Sequence, residues 1–327
     1  MLSTLPLPTV RTERPPLPTV AAQAHDGPPP LLVVGHGTRC LPGEEQFRSF
    51  IARVTARLAT EGVDVAGGLI ELAPPPVTDA AADLVALGHR HVVAVPLMLV
   101  AAGHAKGDIP AALAREVGRY PGLTYRYGGV LGPDPRVLAA LTERLDEVLD
   151  RADRAGTHVV LVGRGSTDPD ANSEVARAAR LLLETAAADG APLAGVETSF
   201  ISLAAPGVPA ALERCRRLGA TRVVVLPLFM FAGVLPNRIV EQTVAWAEVH
   251  DVEVRSAGVI GDCDLLAEAV VERYAEAAAT AVRSHCDTCM YRVAIRGFEK
   301  RVGQPQTPHD HPNDPVTGHG HGHSPRA

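Results

Sequence analysis

LLVVGHGTR (31–39) decides the fold, because its pattern returns as VLVGRGST (160–167) in the second half of the chain. Each copy is a short apolar run that ends in glycine, followed by one variable residue before a second glycine. Such a run, bounded by turn residues, reads as a buried strand that stops at a tight turn. Working outward, three more pairs follow in the same order. IELAPPPV (70–77) answers to ISLAAPGV (201–208), VPL (95–97) to LPL (226–228), and GVLGPD (129–134) to GVIGDC (258–263). The four offsets are 128, 131, 131 and 129 residues, so they differ by three at most. Agreement of this kind reads as a tandem duplication of one four-stranded unit.

Within the first unit, apolar runs alternate with amphipathic stretches. Strands are expected at 31–35, 63–70, 92–97 and 123–128, with helices over 44–60, 78–87, from about 108, and over 135–151. Buried strands between amphipathic helices indicate an α/β fold with a parallel sheet covered on both faces. The expected organisation is a disordered Pro-rich segment (1–29), an N-terminal lobe (30–152), a C-terminal lobe (156–283), and a terminal segment (284–327) with a CxxC and a His-rich tail. The first segment holds seven prolines and few large apolar residues, too little to bury a core.

Composition removes several classes of function. Hydrophobic content of 46% with 21% charge suits a soluble globular protein, and only 4% aromatics calls for an aliphatic core. A net charge of −6 without a basic stretch argues against a nucleic-acid surface. No apolar run approaches the roughly 18 residues of a membrane span. Arg11 and Arg14 precede prolines rather than an apolar stretch, so a secretory signal is not expected and the cytoplasm is. Five cysteines, an odd number, speak against a disulfide framework.

In a parallel α/β sheet, ligands sit where strands end. Three reactive residues fall at such ends in the first lobe: His36 in GHGTR, Glu71 in IELAPPPV, and His104 in AAGHAKGD. Taken singly, each has a structural reading, the histidines as satisfied strand-end residues and Glu71 as a helix cap. The duplication argues otherwise. His36 corresponds to Arg164, Glu71 to Ser202 and His104 roughly to Val234, so the reactive groups vanish together while the frame persists. Two imidazoles and a carboxylate suit a borderline divalent metal, and they also suit proton transfer near neutrality. The spacing is not the HExxH of zinc proteases. Cys40 and Asp168 stand where a dinucleotide fingerprint would need its third glycine.

VGHGTR, IELAPPPV and VPLMLVAAGHAKGDIP together resemble the sirohydrochlorin chelatase family, the class II chelatases, in the long form with two fused halves. That resemblance implies insertion of Co2+ or Fe2+ into a free tetrapyrrole, sirohydrochlorin, without ATP. It also implies that His36, Glu71 and His104 form the catalytic metal site, the histidines holding the metal and helping to remove pyrrole protons. A substrate rich in carboxylates calls for cations, and Arg39, Lys106, Arg164 and Arg238 lie in strand-end loops. Nickel stays open beside cobalt and iron.

HCDTCMYR (285–292) matches a CxxCxYR segment that the long form associates with an iron–sulfur centre. Cys286 and Cys289 supply two ligands where a cluster or a structural zinc usually takes four. Cys263 is a candidate for a third, as is the same pair from a second subunit, which would make a homodimer. His309, His311, His319, His321 and His323 suit loose metal collection. Two rivals to the enzyme remain: a non-catalytic metal-binding or delivery protein, and a tetrapyrrole-binding scaffold with an inactive site.

Overall fold

The computed structural model describes residues 27–280, 282 and 288–304. The chain up to residue 26, Cys286 and the histidine tract lie outside the described residues. The first lobe runs β1 (Leu31–Gly35), α1 (Leu41–Leu58), β2 (Val65–Leu69), α2 (Val77–Ala86), β3 (His91–Pro96), α3 (Ile109–Arg119), β4 (Thr124–Tyr127) and α4 (Pro135–Asp146). The second repeats it with β5 (Thr157–Gly163), α5 (Pro169–Ala188), β6 (Gly195–Phe200), α6 (Val208–Arg217), β7 (Arg222–Pro227), α7 (Val234–Ala247), β8 (Glu253–Ser256) and α8 (Asp264–Ala279). Each lobe holds a four-stranded sheet, ordered β2-β1-β3-β4 and β6-β5-β7-β8, with all pairings parallel.

Strand periodicity sorts the core. Along β1, Leu31 and Val33 join the core shared by the two lobes, while Leu32 and Val34 face α2 and α3. Along β5, Val159 and Leu161 join the shared core, and Val160 and Val162 face α6 and α7. A strand buried on both faces has no polar side, which is why both runs read as continuous aliphatic sequence. Helix α1 starts earlier than expected because Pro42 fits the first helical turn, where its missing N–H costs nothing. Helix α4 ends at Asp146 rather than near 151, and a 3-10 segment, Arg151–Gly156, leads into β5.

The lobes are not self-contained. Helix α4 packs over β7 of the second sheet, and α8 packs over β3 and β4 of the first. The exchange is tied at equivalent points. Arg126 on β4 donates to the carbonyls of Ala277 and Ala278 at the end of α8. Arg255 on β8, its counterpart, donates to the Val148 carbonyl just beyond α4 at 2.7 Å. The Tyr274 hydroxyl adds a 2.7 Å bond to the Pro29 carbonyl ahead of β1. No helix among the described residues is long and apolar enough to cross a membrane.

Candidate metal site

In the order β2-β1-β3-β4 the chain reverses direction across the sheet between β1 and β3, the point at which open parallel sheets place their ligands. His36 follows β1, Glu71 follows β2, and His104 opens a π-helical turn, His104–Asp108, that precedes α3. Ligand atoms of the three residues all lie within 4.8 Å of one another. Among the described residues they form the one group of three or more metal-ligating side chains.

The backbone brings them together. The Glu71 N–H donates to the His36 carbonyl at 3.0 Å, and the Ile70 N–H to that of Gly35 at 3.0 Å. Gly37 has φ +99°, and a Cβ there would sit 1.8 Å from the Glu71 carbonyl oxygen, so only glycine fits. The second lobe keeps this frame. Ser202 N–H donates to the Arg164 carbonyl at 2.9 Å, and a Cβ on Gly165 would meet the Ser202 oxygen at 1.8 Å. Only the side chains differ.

Those side chains form a group that could hold a cation. The Nδ1 of His36 faces the Gly37 carbonyl at 3.1 Å; a carbonyl only accepts, so Nδ1 carries the proton. The lone pair on Nε2 is thereby turned 3.2 Å from a carboxylate oxygen of Glu71. Nε2 is buried and makes no hydrogen bond. A ring lone pair and a carboxylate oxygen held this close are more favourable with a cation between them. With metal–ligand bonds of roughly 2.0–2.2 Å, that gap subtends about 100° at a bound metal, between octahedral and tetrahedral angles. The His104 ring stands edge-on to that of His36, with centroids 4.5 Å apart. Its Nδ1 is taken by Asp108 Oδ2 at 2.6 Å, which leaves Nε2 as the ligand atom. Burial pushes the His36 imidazole down to about 4; His104 and Arg164 push the same way, against the Gly37 carbonyl and Glu71. At neutral pH His36 is therefore an uncharged ligand.

The four expected carboxylate-binding cations part company here. Arg164 is exposed and close enough to act on His36 electrostatically. Arg39 is exposed in the loop after β1, and Arg238 is exposed on α7. Lys106 is already paired within the protein: its Nζ donates to Asp168 Oδ2 and Asp170 Oδ2, each at 2.8 Å, across the two lobes. Burial pulls its pKa down, yet the bonds to Asp168 and Asp170 hold the ammonium above its ordinary value. Sequence reasoning missed Asp108, Asp168 and Asp170. The i,i+4 spacing of His104 and Asp108 within HAKGD was the available signal for the first.

Cys289 is buried, and Cys286 lies outside the described residues. An iron–sulfur cluster takes about four thiolates. Cys215 is buried within α6 and Cys263 stands at the start of α8, and neither joins Cys289 in a ligand group among the described residues. The described residues do not assemble a cluster site.

The CbiX family model matches residues 30–148 and again 158–277, one match per lobe. The sirohydrochlorin cobaltochelatase of Priestia megaterium is 36% identical over 268 residues, covering 81% of this chain and 85% of that protein. The sirohydrochlorin ferrochelatase of Bacillus subtilis is 29% identical over 249 residues, covering 76% of this chain and 92% of that one. The solved structure of SirB from Bacillus subtilis with Fe3+ aligns at a TM-score of 0.66 and 29% identity, covering 77% of this chain and 96% of its own. With both lobes matched and the relatives spanned nearly end to end, the chain belongs to the CbiX family, the sirohydrochlorin chelatases.

Proposed function

We propose that the chain is an ATP-independent chelatase that inserts Co2+ into sirohydrochlorin, with His36, Glu71 and His104 as its metal-handling residues. The observation that carries this reading is the close approach of His36 Nε2 and the Glu71 carboxylate, 3.2 Å, with His104 beside them. Metallation must strip water from the metal and two protons from the macrocycle. Three protein ligands leave coordination positions open for pyrrole nitrogens. His36 and His104 take the metal first; the carboxylate of Glu71 balances its charge and stands ready for one pyrrole proton, and an imidazole that has given up the metal for the other. The cleft between the lobes receives the tetrapyrrole, whose carboxylates meet Arg164, and Arg39 and Arg238 where they reach. An odd count of five cysteines, which speaks against a disulfide framework, supports the cytoplasm as the place of this work.

Cobalt is preferred over iron on the higher identity to the cobaltochelatase than to the Bacillus subtilis ferrochelatase. The test is anaerobic metallation of sirohydrochlorin by purified protein, followed by absorbance, with Co2+ and Fe2+ in parallel. Catalysis above the spontaneous rate with a higher kcat/KM for Co2+ supports the reading. A higher value for Fe2+ reassigns the metal, and no catalysis with either sinks the activity.

A further inference from the structure

The turn that carries His104 is built differently from its counterpart in the second lobe. After β7 the chain enters α7 directly at Val234, whereas after β3 it makes the π-helical turn His104–Asp108 before α3. Wide turns of this kind are rare and persist where something holds them. Three anchors hold this one. Asp108 takes His104 Nδ1 at 2.6 Å. The Tyr127 hydroxyl, from β4, donates to the Ala105 carbonyl at 2.8 Å. The Lys106 ammonium is gripped by Asp168 and Asp170, at the start of α5 in the other lobe, and both carboxylates are buried. The second oxygen of Asp170 accepts from Thr288 Oγ1 at 2.5 Å, so the segment 288–304 closes the clasp from outside.

The duplication again supplies the comparison. At the 130-residue offset that relates His104 to Val234, Lys106 becomes Pro236 and Asp108 becomes Arg238. Tyr127 becomes Ser256, while Asp168 and Asp170 correspond to Cys40 and Pro42 of the first lobe. Proline, arginine and cysteine lack the group that makes the bond, and the serine hydroxyl lacks the reach of the tyrosine's. The anchors and the histidine are present together on one side of the pseudo-symmetric pair and absent together on the other. A lysine that served only to join the lobes would have no reason to follow the histidine.

We infer that Lys106 is a positioning residue for His104: the ammonium, clasped by Asp168 and Asp170 across the lobe interface, sets the π turn so that His104 meets His36 and Glu71. The second lobe thereby completes the metal site of the first without adding a ligand. This rests on the triad being the metal site.

The test uses the full chain, with Co2+ alone as probe and sirohydrochlorin metallation as a separate readout. Lys106→Met is expected to melt cooperatively, to bind Co2+ at least tenfold more weakly with an altered d–d absorption spectrum, and to lose at least tenfold in kcat. Lys106→Arg is expected to restore both to within threefold. A cooperatively folded Lys106→Met with the wild-type Co2+ spectrum and affinity overturns the inference. So does a rise confined to the KM for sirohydrochlorin, which would put Lys106 on the substrate. If Lys106→Met fails to fold, Asp170→Asn, which leaves Asp168 on the ammonium, is held to the same thresholds. A wild type that binds Co2+ through His36 but metallates nothing would sink the chelatase reading, and the clasp would still be judged on the Co2+ spectrum.

Discussion

His36 Nε2 and Glu71 Oε1 stand 3.2 Å apart, and with Nδ1 of His36 donating to the Gly37 carbonyl, Nε2 meets the carboxylate with its lone pair. Exchanging the carboxylate for an amide removes the negative charge and offers a donor to the imidazole. Glu71→Gln is expected to leave the melting temperature unchanged or slightly raised, since the amide can satisfy Nε2. Its kcat/KM for metallation is expected to fall by about 100-fold, roughly 2.7 kcal/mol of transition-state stabilisation. A thermal melt beside a metallation assay checks both, and full activity in this variant would exclude Glu71 from the chemistry.

The depressed pKa of His36 has a consequence for stability. Its folded value is about 4 against 6.5 for the free side chain. Between those values the unfolded chain takes up a proton that the folded chain refuses, so stability falls as pH drops through that window. The loss is expected to reach roughly 1–3 kcal/mol, and the group contributes no pH dependence above about pH 7. His36→Asn should flatten that part of the profile. Urea denaturation of both proteins at about pH 7 and pH 4.5 measures the difference, and parallel profiles would mean that His36 titrates normally.

Gly37 and Gly165 each lie under a carbonyl oxygen that a methyl group would strike at 1.8 Å. Both have positive φ, +99° and +86°. Alanine at either position is expected to cost at least about 3 kcal/mol, strain and displacement together. Denaturant unfolding of the two variants checks this, and a loss below about 1 kcal/mol at both would mean that the loops yield freely.

The exchanged helices make a separate prediction. Arg126→Ala and Arg255→Ala each remove a charged donor from a helix-end carbonyl in the neighbouring lobe. Each is expected to destabilise by about 1–2 kcal/mol, and the double variant by about their sum. Unchanged denaturation midpoints would mean that these ties carry no stability.

Most of the frame was legible because it is local. The apolar runs at 31–35 and 160–163 read as buried strands, and the repeated motifs showed that the unit occurs twice. The triad was legible because one lobe had lost it: Arg164, Ser202 and Val234 stand where His36, Glu71 and His104 would be. What stayed hidden depends on contacts between distant residues. The partners of Lys106 stayed hidden, since nothing in HAKGD reveals that Asp168 and Asp170 fold against it. The exchange of α4 and α8 was equally silent, because an amphipathic helix records that it has an apolar face but not which sheet receives it.

The asymmetry between the lobes is the centre of the account, and a mirrored pair of variants tests it most directly. The rate of sirohydrochlorin metallation by Co2+ is measured in His36→Ala/His104→Ala and in Ser202→Ala/Val234→Ala, with folding verified in both. The first is expected at the spontaneous rate, and the second within about threefold of wild type, a difference below roughly 0.7 kcal/mol. Activity retained in the first variant, or abolished in the second, would contradict the account.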